Sequence, residues 1–130
     1  MSSIDGEWTG VYDYPGLELD PTPFKVKISS GDTGFRGEVS EPHLKGGTTI
    51  FSDITGQISG CDVCFTKNYD QVDDEYPVVF YEGKISENFS KIEGIWTTQD
   101  DMPWSGPFVM NRARSQKLNE QIKESLYLNQ

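Results

Sequence analysis

The segment Val63-Cys64-Phe65-Thr66-Lys67-Asn68-Tyr69 concentrates more chemistry than any other in the chain. In an extended strand alternate residues share a face, so Val63, Phe65, Lys67 and Tyr69 lie together. Three of these four are apolar or aromatic, which marks the face as interior and makes Lys67 an inward ammonium. Such a group must be paired, hydrated or neutralised. Tyr12, Tyr81 and Trp96 are expected at the same level on other strands. A cation among phenols and an indole suits a partly apolar ligand with an acidic head: the ammonium meets the charge and the hydroxyls donate to its oxygens. The opposing reading is a lysine at a rim, its stem lining the wall and its head in water.

Other constellations are weaker. Asp70, Asp73, Asp74 and Glu75, with Asp100 and Asp101, form an acidic group. Dense carboxylates can bind Ca²⁺, but the run lacks the glycine and the alternating ligand spacing of an EF-hand loop. It reads as a solvated rim, and as such it repels an approaching anion. Cys61-Asp-Val-Cys64 is a C-x-x-C, yet a zinc site needs four ligands and His43 is the single histidine. The pair enters a strand, not a helix N-terminus, so two reduced structural thiols are expected. His43, in Glu41-Pro42-His43-Leu44, has no nucleophile motif beside it and reads as a loop residue. No metal site, cofactor site or catalytic residue is assigned, and no P-loop, dinucleotide or Gly-x-Ser-x-Gly motif occurs.

The elements that must position Lys67 come from the rest of the pattern. At 130 residues the chain is long enough for one domain with its own core. The 12% aromatic content argues for a folded chain despite a low mean hydropathy. A formal charge of −10 disfavours a nucleic-acid partner. No apolar run reaches the roughly 20 residues of a membrane span. The first residues carry neither a basic nor an apolar signal region, and the chain holds two cysteines, so a cytoplasmic location is expected.

Eight short β-type runs separated by Gly, Pro and polar clusters occupy residues 7–14, 23–29, 34–40, 50–59, 62–70, 77–85, 91–98 and 106–112. A large residue, a glycine two on and another large residue two further recur at Trp8/Gly10/Tyr12, Phe35/Gly37/Val39, Ile54/Gly56/Ile58, Tyr81/Gly83/Ile85 and Ile92/Gly94/Trp96. Glycines on one face of successive strands let a sheet bend and close. In up-and-down order, all long connections fall at one end and all short ones at the other. The long-loop end is the expected mouth.

Gly6-Glu7-Trp8 on the first strand and Arg112 at the end of the last resemble the Gly-x-Trp signature and the packing arginine of lipocalins. The chain is thus similar to the calycins, the lipocalin-like, fatty-acid-binding-protein-like and avidin-like barrels. The resemblance implies an eight-stranded barrel with a tendency to bind small apolar molecules, and it places Arg112 on the Trp8 ring. The expectation is an all-β protein, a single domain over 1–130. It consists of an eight-stranded antiparallel up-and-down calycin-like barrel over about 7–112 and a C-terminal α-helix over about 113–128. Leu118, Ile122 and Leu126 recur at helical spacing in that tail, which would cap the closed end or pair two copies as a homodimer. Expected function is non-enzymatic binding of a small, partly apolar molecule, anions among the candidates, by Tyr12, Lys67, Tyr69, Tyr81 and Trp96. Two alternatives stand beside it: a calycin-fold enzyme using Lys67 and a tyrosine for acid–base work on a small organic acid, and a side-chain-filled barrel acting as a protein-interaction module.

Overall fold

The computed structural model describes residues 3–16, 20–42, 48–69, 78–99 and 103–113. They form eight strands: β1 (Gly6–Tyr12), β2 (Thr22–Ser30), β3 (Phe35–Pro42), β4 (Thr49–Ser59), β5 (Asp62–Tyr69), β6 (Val79–Ile85), β7 (Lys91–Thr98) and β8 (Ser105–Arg112). Each pairs antiparallel with its sequence neighbour, and β1 pairs with β8, so the sheet closes into a barrel with no free edge. The helix expected over 113–128 falls, beyond Ala113, outside the described residues, as do His43 and the acidic clusters at 70–75 and 100–101. Among the described residues there is no helix.

Alternation decides the faces. In β2, Thr22, Phe24, Val26 and Ile28 are buried while Pro23, Lys25 and Lys27 are exposed. The inward set forms one core that includes Trp8, Tyr12, Phe24, Phe35, Phe65, Tyr81, Trp96 and Phe108. These rings fill the interior from the closed end upward. Phe65 stacks on Tyr81 with centroids 4.6 Å apart, and Phe108 meets Tyr81 edge-on at 4.9 Å. Inner-face glycines make room for them. Gly83 and Gly94 sit opposite each other on β6 and β7, and a methyl on Gly94 would collide with the Glu82 carbonyl oxygen. Paired glycines on the inner face let the two strands approach and bend here.

The closed end is sealed by Trp8 and Arg112. They are register partners on β1 and β8, with the guanidinium carbon 4.6 Å from the indole centroid. Arg112 donates to the carbonyls of Phe89, Asp5 and Ser3, and Trp8 Nε1 donates to the Ile4 carbonyl at 2.9 Å. One residue thereby ties the entering chain, the β6–β7 connection and β8 together. Cys61 and Cys64 are free and exposed on the β4–β5 hairpin.

β3 differs from the expected 34–40 in a way that matters. It continues through Glu41 and Pro42, and Pro42 falls at the strand end where a missing N–H is tolerated. The inward series Phe35, Gly37, Val39 therefore gains Glu41 as its last member. The expectation that residue 41 begins a loop is corrected by this extension.

Candidate functional site

Tyr12, Glu41, Lys67 and Tyr69 each lie at or near the upper end of β1, β3, β5 and β5 respectively, the end carrying the long connections. Lys67 is 2% exposed and Glu41 3% exposed, so both charged groups are out of water. Lys67 Nζ donates to Glu41 Oε1 at 2.8 Å. The other carboxylate oxygen, Oε2, accepts a 2.5 Å hydrogen bond from the Tyr12 hydroxyl. One carboxylate is thus gripped at both oxygens, by an ammonium on one side and a phenol on the other.

Three rings surround the ammonium. Lys67 Nζ lies 4.8 Å from the Tyr12 centroid, 4.8 Å from Tyr69 and 5.5 Å from Tyr81. Cation–π attraction in such a desolvated position reaches about 2 kcal/mol. Burial works against the charged ammonium, but the Tyr81 and Tyr69 oxygens and the Glu41 carboxylate outweigh it. Lys67 is held above the usual lysine range and stays protonated. Burial likewise pushes the Tyr12, Tyr69 and Tyr81 phenols above the ordinary tyrosine range. The cluster is one ion pair inside a sleeve of neutral phenols.

Trp96 stands one ring further out. It is the register partner of Tyr81, packs edge-on against Tyr12 at 6.0 Å and Tyr14 at 5.9 Å, and donates from Nε1 to the Asp13 carbonyl at 2.9 Å. Tyr14 in turn shares a hydrogen bond with the Thr22 hydroxyl. A recess of about 230 Å³ opens beside this wall, lined by Tyr14, Pro15, Trp96, Trp104 and Ser105. Ser52 completes the inner ring. It faces Tyr69 across β4–β5 and Val39 across β3–β4, it is 1% exposed, and its hydroxyl has no hydrogen-bond partner among the described residues.

Of the residues expected from sequence, Tyr12, Lys67, Tyr69 and Tyr81 come together around one ammonium, and Trp96 touches the group through Tyr12. Glu41, Tyr14, Thr22 and Ser52 were not foreseen. For Glu41 the signal was present: Phe35, Val39 and Glu41 keep a period of two. Among the described residues no cluster of His, Cys, Asp and Glu could hold a metal ion. No protein-family model and no curated protein matches the sequence.

Proposed function

We propose that the chain is a calycin-type barrel that binds a small, partly apolar molecule at its long-loop end, with the polar head seated at Lys67, Glu41, Tyr12, Tyr69 and Tyr81. The observation that carries this reading is the buried ion pair itself. A desolvated pair is often no more stabilising than apolar side chains of the same volume, and the strands that hold it are otherwise filled by such side chains. Ser52 supports the same reading, because an unpaired buried hydroxyl costs about 1–3 kcal/mol unless something meets it. Trp96 and the aromatic recess beside it suit the apolar part of the molecule. The rings below Tyr81 occupy the barrel, so a compact ligand near the mouth fits better than a long chain threaded to the closed end.

Lys67 serves charge recognition here, not proton abstraction. A lysine base needs its pKa lowered toward neutrality, and Lys67 is shifted the other way. Two exposed, unpaired thiols accord with a reducing compartment. A second reading, an internally filled barrel that works through its outer surface, is favoured by the exposure of Phe51, Phe80, Ile95 and Trp104. Native mass spectrometry of freshly purified protein separates the two. A retained small molecule, lost in Lys67→Met, is expected. A bare mass, together with no thermal shift from a panel of small aromatic acids, amides and alcohols, would overturn the binding reading in favour of the surface one.

A further inference from the structure

Glu41 occupies its seat as a ligand would. Its two oxygens take two different donors, Lys67 Nζ at 2.8 Å and the Tyr12 hydroxyl. Tyr69 and Tyr81 enclose the same ammonium. Tyr12 and Lys67 are paired on both sides, with Thr22 and Phe108 and with Ile54 and Val79 respectively. Glu41, the penultimate residue of β3, is instead paired with Ile50 of β4 beyond the last β2–β3 pair at Ser40, and is followed by Pro42 at the strand's end. Opening the last two β3–β4 pairs, Glu41 with Ile50 and Pro42 with Thr49, would free the carboxylate and leave the pairs from Ser40 downward in place. The unpartnered Ser52 hydroxyl, on the strand between β3 and β5, lies within the same inner ring.

We infer that Glu41 is a displaceable internal carboxylate, and that the site takes a compact carboxylic acid whose carboxylate replaces it on Lys67 and Tyr12. This deepens the proposed function and rests on it. The exchange conserves charge inside the barrel: one carboxylate leaves the ammonium as another arrives, so Lys67 is never left buried and unpaired. The cost falls on Glu41, which goes back to water, where a carboxylate is well solvated. It also makes the site selective. A neutral isostere cannot replace Glu41 without stranding the Lys67 charge, and breaking a buried pair is strongly unfavourable. The chain's charge of −10 opposes an arriving acid at long range. That repulsion is screened beyond about 8 Å at physiological salt, so the short-range exchange decides affinity.

The test compares benzoate with benzamide on the wild type, Glu41→Gln and the double variant Lys67→Met/Glu41→Gln, by calorimetry and thermal shift. Benzoate should bind the wild type weakly and Glu41→Gln at least tenfold more tightly, because the competitor has been removed. Benzamide should gain less than threefold, and the double variant should bind neither preferentially. If Glu41→Gln does not fold alone, benzoate or acetate should restore its fold while benzamide does not. Equal gains for acid and amide, benzoate binding to the wild type as tight as to Glu41→Gln, or a Glu41→Gln protein that carboxylates neither bind nor rescue would each overturn the exchange. A small molecule retained by the wild type would still stand in any of those cases, so loss of this inference is distinct from loss of the binding reading.

Discussion

Replacing Lys67 by methionine keeps the length of the side chain and removes its charge. Glu41 is then left 3% exposed, with the Tyr12 hydroxyl still donating to its Oε2. Removing one member of a buried pair costs about 3–5 kcal/mol, whereas an exposed pair is worth at most about 1 kcal/mol. The burial of both groups puts this pair in the first class. With a urea slope of about 2 kcal/mol/M, the unfolding midpoint should fall by about 1.5–2.5 M. With about 2.1 cal/mol/K of unfolding entropy per residue, the melting temperature should fall by about 11–18 °C. The double variant Lys67→Met/Glu41→Leu removes both charges together and should return to within about 2 kcal/mol of the wild type, or exceed it. Urea titrations followed by tryptophan fluorescence measure all three proteins. A single-variant cost below about 1 kcal/mol, or a double variant no better than the single, would refute a desolvated, mutually dependent pair.

Alkaline pH acts on the same cluster. Lys67, Tyr12, Tyr69 and Tyr81 all have folded-state pKa values above their ordinary 10.5 and 10.0. Their protonated forms therefore favour the fold: the contribution is complete below about pH 10 and is lost as pH rises through the folded values. Tyrosinate absorbance should show these three phenols ionising only together with unfolding. At the closed end, Arg112→Met removes the Trp8 contact and three hydrogen bonds and should cost about 2–4 kcal/mol by chemical denaturation; a loss under 1 kcal/mol would mean that water replaces the clamp. Among the glycines, Gly94→Ala should prevent barrel formation because of the Glu82 carbonyl, judged by circular dichroism. Gly60→Ala, with φ +63 and open space around it, should cost only about 1–2 kcal/mol.

The strands were legible because each carries its own alternation. Phe24/Val26/Ile28 against Lys25/Lys27 needs no tertiary knowledge to assign a face. Closure was legible from the glycines and from Trp8 and Arg112, whose pairing across β1 and β8 needs only strand order. The inward course of Lys67 was legible for the same reason. Its partner was not. Glu41-Pro42 carries the composition of a turn, and local composition competes with periodicity at a strand end. The ion pair joins residues 26 apart in sequence, on strands separated by β4, and no local pattern couples them. Ser52 was hidden differently: a serine on an inner face has no sequence mark that separates a satisfied hydroxyl from an orphan. An interior lysine without a visible partner suggested an acidic ligand, and the structure supplies the acid from within.

The clamp at Arg112 also has a mechanical side. β1 begins, and β8 ends, at the same pole, and the two strands are hydrogen-bonded neighbours. Tension applied between the start of β1 and the end of β8 would therefore peel β8 from β1 pair by pair, not slide one along the other. Each hydrogen bond would meet the load alone, in sequence, beginning beside Trp8 and Arg112. The guanidinium, holding Ser3, Asp5 and Phe89 at that point, would act as the latch of a zipper. Forced opening is governed by the unfolding rate, so this one side chain would set the yield force of a barrel whose other seven seams are not loaded first.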